Sequence, residues 1–363
     1  MRSLSFSVLL LLLFLNVTAQ TTNKMDFEAY DPPSSLVVKE HKTSSAKFPF
    51  IDVHNHQFRM PEMDLGILIT DMDKLNMTTM VNLSGQSGES LKKAVENGNK
   101  NYPGRFIVFA NVDFKGVGDK DWAEKAAKQL QEDVKNGAKG LKIYKSLGFS
   151  VQDINGKRVT IDDPRLDPVW AMAGKLKIPV LIHTADPKQF WQPMDANNER
   201  WLELATHPNR QRGDNNSAPW DTLIAEQHRL FRKHSGTTFI AAHFGWYAND
   251  LNKLSTLLNE MPNVMVEFGA IIAELGRQPR SANAFFTKYQ DRILFGKDSW
   301  VPAEYATYFR VLETTDEYFP YHKKYHAFWR MYGMGLSDEV LKKIYYKNAL
   351  RIIPGIDKTQ FPN

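Results

Sequence analysis

Short apolar runs recur along the chain from Phe48 onward, separated by stretches in which apolar residues return every three or four positions. The runs are 48–53 (FPFIDV), 79–83 (TMVNL), 106–112 (FIVFANV), 140–144 (GLKIY), 178–183 (IPVLIH), 238–243 (TFIAAH), 264–268 (VMVEF) and 292–296 (RILFG). Short apolar runs alternating with helix-like stretches predict a parallel sheet with crossover helices. Two of those stretches carry a clear apolar stripe: 122–136, with Ala123, Ala126, Ala127, Leu130 and Val134, and 250–261, with Leu251, Leu254, Leu257 and Leu258. Asn136-Gly137 reads as a helix stop, and Asp162-Asp163-Pro164 as a helix start with proline in the first turn.

Eight strand and helix pairs over about 300 residues predict an α/β fold, a single closed (β/α)8 TIM barrel. An open nucleotide-binding sheet would call for a glycine-rich loop after the first strand, and none is there. The barrel is expected over 47–363. A polar, Pro/Asn-rich insertion at 185–217 is too long for a simple connector and is placed over the mouth as a lid-like segment. The aromatic-dense stretch 317–353 is expected to form helices on the outside of the barrel.

The first 46 residues follow another pattern. Arg2, the apolar run Val8–Leu15 and the small-residue end Val17-Thr18-Ala19 read as a signal peptide over 1–19. The run is far short of the ~20 apolar residues that span a bilayer, so no stable membrane insertion is expected after cleavage. Residues 20–46 read as a flexible arm. The 363 residues include no cysteine, so neither disulfides nor a lipid-modified cysteine is available, and a periplasmic or secreted protein held by its core alone is expected. A net charge of +5 without a polybasic run gives no footprint for nucleic acid. A small-molecule substrate is the expected partner, and a homodimer stays open.

Candidate chemistry gathers at the strand ends, where barrel enzymes keep it. Asp52, His54 and His56 follow the first strand, Lys142 lies in the fourth, His183 ends the fifth, His243 the sixth, Glu267 lies on the seventh and Asp298 follows the eighth. Two residues apart, His54 and His56 project from one side, close enough to share a metal. Singly, each histidine has an ordinary core or loop reading; their shared location argues for one site.

These residues resemble the amidohydrolase superfamily, in particular the amidohydrolase-related branch that includes aminocarboxymuconate-semialdehyde decarboxylase, aromatic-acid decarboxylases and lactone hydrolases. The resemblance covers roughly 48–352. It rests on Ile51-Asp52-Val53-His54-Asn55-His56, Gly140-Leu141-Lys142-Ile143, Leu181-Ile182-His183, Ala242-His243-Phe244-Gly245 and Leu294-Phe295-Gly296-Lys297-Asp298. It implies that His54, His56, His183 and Asp298 bind one divalent metal, zinc first and manganese as the alternative, with His243 and Asp298 as the catalytic pair. A second metal bridged by carboxylated Lys142 is the less favoured arrangement.

For Lys142 two further readings stand: an ammonium that attracts a substrate carboxylate, and a structural pair with Glu267. Lys142, Glu267, Arg277 and Trp246 are the candidate substrate-binding residues. Trp191, Trp201, Trp220, Trp300 and Arg280 lie in the same loops and are equally consistent with packing.

The expected function is an exported metal-dependent hydrolase in which metal-activated water attacks a lactone, ester or amide of a small carboxylated or ring-containing substrate. The alternatives are a lyase, decarboxylase or dehydratase, using the same site, and a non-catalytic binding protein.

Overall fold

The computed structural model describes residues 25–26, 29–213 and 217–362, so the expected signal peptide at 1–19 lies outside the described residues. Each apolar run becomes parallel strand: β1 Phe50–Asn55, β2 Met77–Asn82, β3 Phe106–Val108, β4 Ala110–Asn111, β5 Leu141–Ile143, β6 Val180–Ile182, β7 Phe239–Ala241, β8 Val264–Glu267 and β9 Ile293–Leu294. β1, β2 and β3 pair in order, as do β4 through β9.

The expected third strand is thus split at Phe109, yet the ring of strands continues through it. Phe109 N–H donates to Asn82 O (2.9 Å) on one side, and Ala110 N–H to Gly140 O (2.8 Å) on the other. A β-carbon on Gly140 would stand 2.3 Å from the Phe109 ring, so only glycine admits that aromatic wedge. At the other seam Val53 N–H donates to Phe295 O (2.9 Å), and the Phe50 and Phe295 rings pack 4.7 Å apart. β3 and β4 share one position, giving the eight-membered barrel.

Outside it run the helices Gly66–Leu75, Gly88–Asn101, Trp122–Lys135, Asp167–Lys175, Trp220–Lys233, Leu251–Glu260, Pro279–Lys288 and Tyr305–Glu313, one after each strand position. The predicted stripes face inward: Ala127 and Leu130 are buried on one helix, Leu254, Leu257 and Leu258 on another. Gly137 stops the former at φ 112°, and Asp250 caps the latter by accepting from Lys253 N–H. Asp163 accepts from Arg165 N–H (3.0 Å) and caps the turn that leads into Asp167–Lys175.

Three segments depart from expectation. Residues 319–331 are not helical: Phe319–Pro320 and Arg330–Met331 pair antiparallel, and helix appears only from Asp338 to Ile352. Pro320 cannot donate in a helix, and at Gly333 a β-carbon would lie 2.1 Å from Thr314 O, a backbone approach that a helical turn there would not allow. The arm is tied down from His41 onward, where His41 N–H donates to Asp316 Oδ2 (2.8 Å) and Ala46 N–H to Leu75 O (3.1 Å).

The third is the 185–217 insertion, which carries structure of its own, including helix Trp201–Thr206. Buried Arg200 pairs with Glu203 at 2.6 Å and with Glu274 beyond β8. Asp186 holds Lys145 (2.6 Å) and Arg212 (2.7 Å). These ion pairs fasten the insertion to the mouth as a wall.

No helix among the described residues is long and apolar enough to cross a membrane.

Candidate metal centre

Strand β1 carries His54, fully buried, and His56 follows its end, so period-two alternation turns both rings toward one side. Their Nε2 atoms converge on Asp298 Oδ1, which lies 3.3 Å from His54 and 3.6 Å from His56. Ligand atoms around a tetrahedral ion with bonds of about 2.0–2.1 Å stand roughly 3.3 Å apart, so these spacings fit a shared cation.

Proton accounting shows which nitrogens are free to ligate. A carbonyl oxygen only accepts, so His243 Nδ1, 2.6 Å from Gly269 O, carries the ring proton. The 3.4 Å contact from His243 Nε2 to His183 Nδ1 then takes its proton from His183. That leaves His183 Nε2 a bare lone pair, buried and without a hydrogen-bond partner. Buried polar atoms are nearly always satisfied, so an orphaned imidazole nitrogen at a strand end suits a metal ligand. His183 nevertheless stands beside His243 and outside the close trio of His54, His56 and Asp298.

His54 Nδ1 donates to Glu267 Oε1 across 2.9 Å, which turns its Nε2 lone pair toward Asp298. Burial first, then Lys142, holds the His54 imidazole well below its ordinary pKa; the same two causes bring His56 to about 4. Burial and the neighbouring His243 depress His183 likewise. For Asp298 burial pushes upward, but His54, His243 and His56 outweigh it and hold the carboxyl at about 2. At neutral pH the cluster is therefore neutral imidazole and ionised carboxylate, the protonation states that metal binding requires.

The backbone is bent to make this arrangement. His243, Phe244 and Gly245 take φ of 56°, 55° and 57°, and Asp298 takes 83°. Left-handed conformation costs a non-glycine residue roughly 1–2 kcal/mol. In return His243 N–H reaches Glu267 Oε1 (2.8 Å), and Asp298 N–H reaches His54 O (2.7 Å).

Three of the expected substrate-binding residues stand elsewhere. Glu267 is fully buried and spends its oxygens on N–H donors, with Oε2 accepting from Gly269 N–H at 2.6 Å. It orients His54 and His243 and does not face the cavity. Lys142, 1% exposed, points Nζ at His54 Nε2 from 3.4 Å and so faces the ligand cluster. Burial lowers its pKa to about 8 against the pull of Asp298 and Glu267, but it forms no ion pair with Glu267. Arg277 pairs with Glu199 and lies 3.8 Å over Trp329, lining a neighbouring pocket. Trp246 does line the site, stacked 4.6 Å from His243. Trp191 and Trp220 spend their indole N–H groups on backbone carbonyls.

The cavity has a volume of about 200 Å³ and is bounded by His183, His243, Trp246 and Asp298 on the barrel side. Its other walls, which sequence reasoning missed, come from Lys145, from Asp186, Arg200, Glu203 and Arg210 of the insertion, and from Lys323, Tyr325 and His326 between β10 (Phe319–Pro320) and β11 (Arg330–Met331). Sequence reasoning also missed Ser84 and Tyr144, which stand next to His56. Both lie within two residues of a strand's end, so the strand-end rule would have found them had it been applied to hydroxyls.

No curated protein is significantly similar to the chain in sequence. Among solved structures, 2,6-dihydroxybenzoate decarboxylase with its bound 2,6-dihydroxybenzoate is 16% identical, with a TM-score of 0.54 over 84% of this chain and 99% of that one. An uncharacterised TIM-barrel protein from Bordetella bronchiseptica is 16% identical at a TM-score of 0.50, covering 84% and 97%. 4-Oxalomesaconate hydratase from Rhodopseudomonas palustris is 14% identical at 0.50, covering 84% and 95%. These likenesses establish the TIM-barrel fold. The amidohydrolase sequence profile matches residues 51–355, which takes in every residue of the cluster described above. The chain belongs to the amidohydrolase family.

Proposed function

We propose that the protein is an exported enzyme that uses one divalent cation to hydrolyse a small carboxylated ester, lactone or amide. The observation that carries this reading is the meeting of His54 Nε2, His56 Nε2 and Asp298 Oδ1, in the protonation states a cation needs, beside a cavity whose walls include Lys323 as well as paired cations and carboxylates.

His54, His56 and Asp298 would hold the ion, with His183 Nε2 as a further donor. When bound, it supplies Lewis acidity and a nucleophile usable at neutral pH. Zinc suits the nitrogen-rich donor set, and manganese is the alternative. Asp298, ionised and partly exposed, accepts the proton of the attacking water. His243, held by Gly269 O and Glu267 Oε1 with its Nε2 unprotonated, relays the proton taken from the water to the leaving group.

The walls support an acidic substrate. Lys323 borders the cavity without an ion pair among the described residues, beside Lys145 and Arg210, which are already paired with Asp186 and Glu203. Cations around a substrate carboxylate stabilise the charge that decarboxylation would discharge, which favours keeping the carboxylate and cleaving an acyl bond elsewhere.

Metal analysis of protein purified without chelator, followed by product analysis on carboxylated lactones, esters and amides, tests the proposal. About one equivalent of metal and an acid product without carbon dioxide are expected. Released carbon dioxide or a new double bond assigns a lyase instead, and saturable binding without turnover assigns a binding protein. Export rests on the signal-like 1–19, and a mature chain starting at Gln20 is the mass-spectrometric expectation.

A further inference from the structure

His56 is held by a pair of hydroxyl groups. Its Nδ1 lies 2.8 Å from Ser84 Oγ, Ser84 Oγ lies 2.8 Å from Tyr144 OH, and Tyr144 OH lies 3.2 Å from Leu83 O. The last partner is a carbonyl, which only accepts, so the phenol proton is committed to Leu83. Tyr144 oxygen is then the acceptor for the Ser84 proton, and Ser84 Oγ is left to accept from His56 Nδ1–H. His56 is thereby held as the Nδ1–H tautomer, with its Nε2 lone pair toward Asp298.

The two hydroxyls are themselves fixed. Asn82 Oδ1 accepts from Ser84 N–H (3.0 Å) and from Gln57 N–H (2.9 Å), stitching the ends of β1 and β2 together. Directly after Ser84 the chain runs so close to the third strand position that a β-carbon at Gly85 would lie 2.3 Å from Phe109 O. The His56 ring stacks with Tyr144, at 5.6 Å and 30°, and with Phe58, at 5.7 Å and 12°. Tyr144 therefore sets the plane of His56 with its ring and the tautomer with its hydroxyl.

We infer that Ser84 and Tyr144 are positioning residues that fix His56 as the Nδ1–H tautomer and so present its Nε2 as a ready ligand. The expected effect on cation affinity rests on the metal reading above; the tautomer assignment does not. Partners of this kind that orient a ligating histidine are worth about 10–100-fold in metal affinity.

The test has two arms. In the metal-free protein, ¹⁵N chemical shifts of His56 should show the proton on Nδ1 in wild type and a tautomer mixture in Ser84→Ala and in Tyr144→Phe. With zinc titrated against a chromophoric chelator, Ser84→Ala should lose about 10–100-fold in affinity. Ser84→Thr should stay near wild type, and Ser84→Ala with Tyr144→Phe should be no worse than Ser84→Ala, because Tyr144 acts through Ser84. Thermal midpoints of the metal-free variants separate positioning from misfolding. A proton on His56 Nε2 in wild type, or tautomer and affinity unchanged in folded Ser84→Ala, overturns the inference. A wild type that takes up no zinc overturns the metal reading, while the ¹⁵N shifts still decide this one.

Discussion

Glu267 Oε1 sits 2.9 Å from His54 Nδ1, with both side chains fully buried, and the same oxygen accepts the backbone N–H of His243 at 2.8 Å. One carboxylate from β8 thus orients the first strand's ligand and the sixth position's acid–base group together. Gly296 opposite admits it: a β-carbon there would stand 2.3 Å from Glu267 Oε2.

Glu267→Gln should therefore damage the site while nearly preserving volume. The amide presents N–H where the carboxylate accepts, so one of the donors from His54, His243 or Gly269 loses its partner. A buried unsatisfied donor costs about 1–3 kcal/mol, and a misoriented ligand about 10–100-fold in metal affinity. Thermal unfolding and chelator competition should show both losses. An unchanged zinc affinity would mean that His54 is oriented by packing alone.

Lys142 distinguishes one metal from two. As a free ammonium 3.4 Å from His54 Nε2 it opposes a cation electrostatically, so Lys142→Met should bind zinc more tightly, by tenfold or more on the order of the Coulomb energies involved. Stoichiometry should remain one. A fall from two equivalents to one in the variant would instead show a carboxylated lysine bridging two ions.

The buried ion cluster of the insertion makes a pH prediction. Burial raises the Glu203 carboxyl, but His326 and Arg200 outweigh it and hold it well below its ordinary value of 4.5. A depressed carboxylate contributes stability that is complete above the unfolded pKa and is lost as pH falls toward the folded one. Wild type should accordingly lose stability progressively below about pH 4.5, and Glu203→Gln should flatten that slope. Arg200→Met, which leaves Glu274 buried without its guanidinium while Glu203 keeps Arg210, should cost about 3–5 kcal/mol at neutral pH. Urea unfolding at several pH values measures both.

What could be read from sequence follows from the length scale of the signals. Strand runs such as Val180–Ile182 and helix stripes such as Leu251–Leu258 are local, and His54, His56, His183, His243 and Asp298 lie at or just past the end of a run, so the barrel and the gathering of these side chains at its mouth were legible. The role of Glu267 was not, because its partners, His54 and the His243 and Gly269 amides, meet it only after the barrel closes. The cavity walls were hidden for the same reason: Arg200 and Lys323 are more than a hundred residues apart and belong to no strand. The β10–β11 hairpin departs from the expected helix because aromatic density carries no period.

His243 and Asp298 allow the acid–base roles to be separated from ligation without disturbing the backbone. Both sit at positive φ, 56° and 83°, where asparagine is among the best tolerated residues. His243→Asn should therefore fold and retain its metal, because His54, His56 and Asp298 are untouched, while losing the Nε2 that moves the proton. A turnover loss of about 10²–10⁴-fold with little change in KM is expected. Asp298→Asn removes the ionised oxygen on which both histidines converge, and should abolish turnover and weaken zinc binding together. His54→Ala should lower metal affinity by orders of magnitude whatever the state of His243. Elemental analysis of the purified variants, read beside steady-state kinetics, decides the assignment: metal loss in His243→Asn would make His243 a ligand, and full turnover in Asp298→Asn would remove Asp298 from the chemistry.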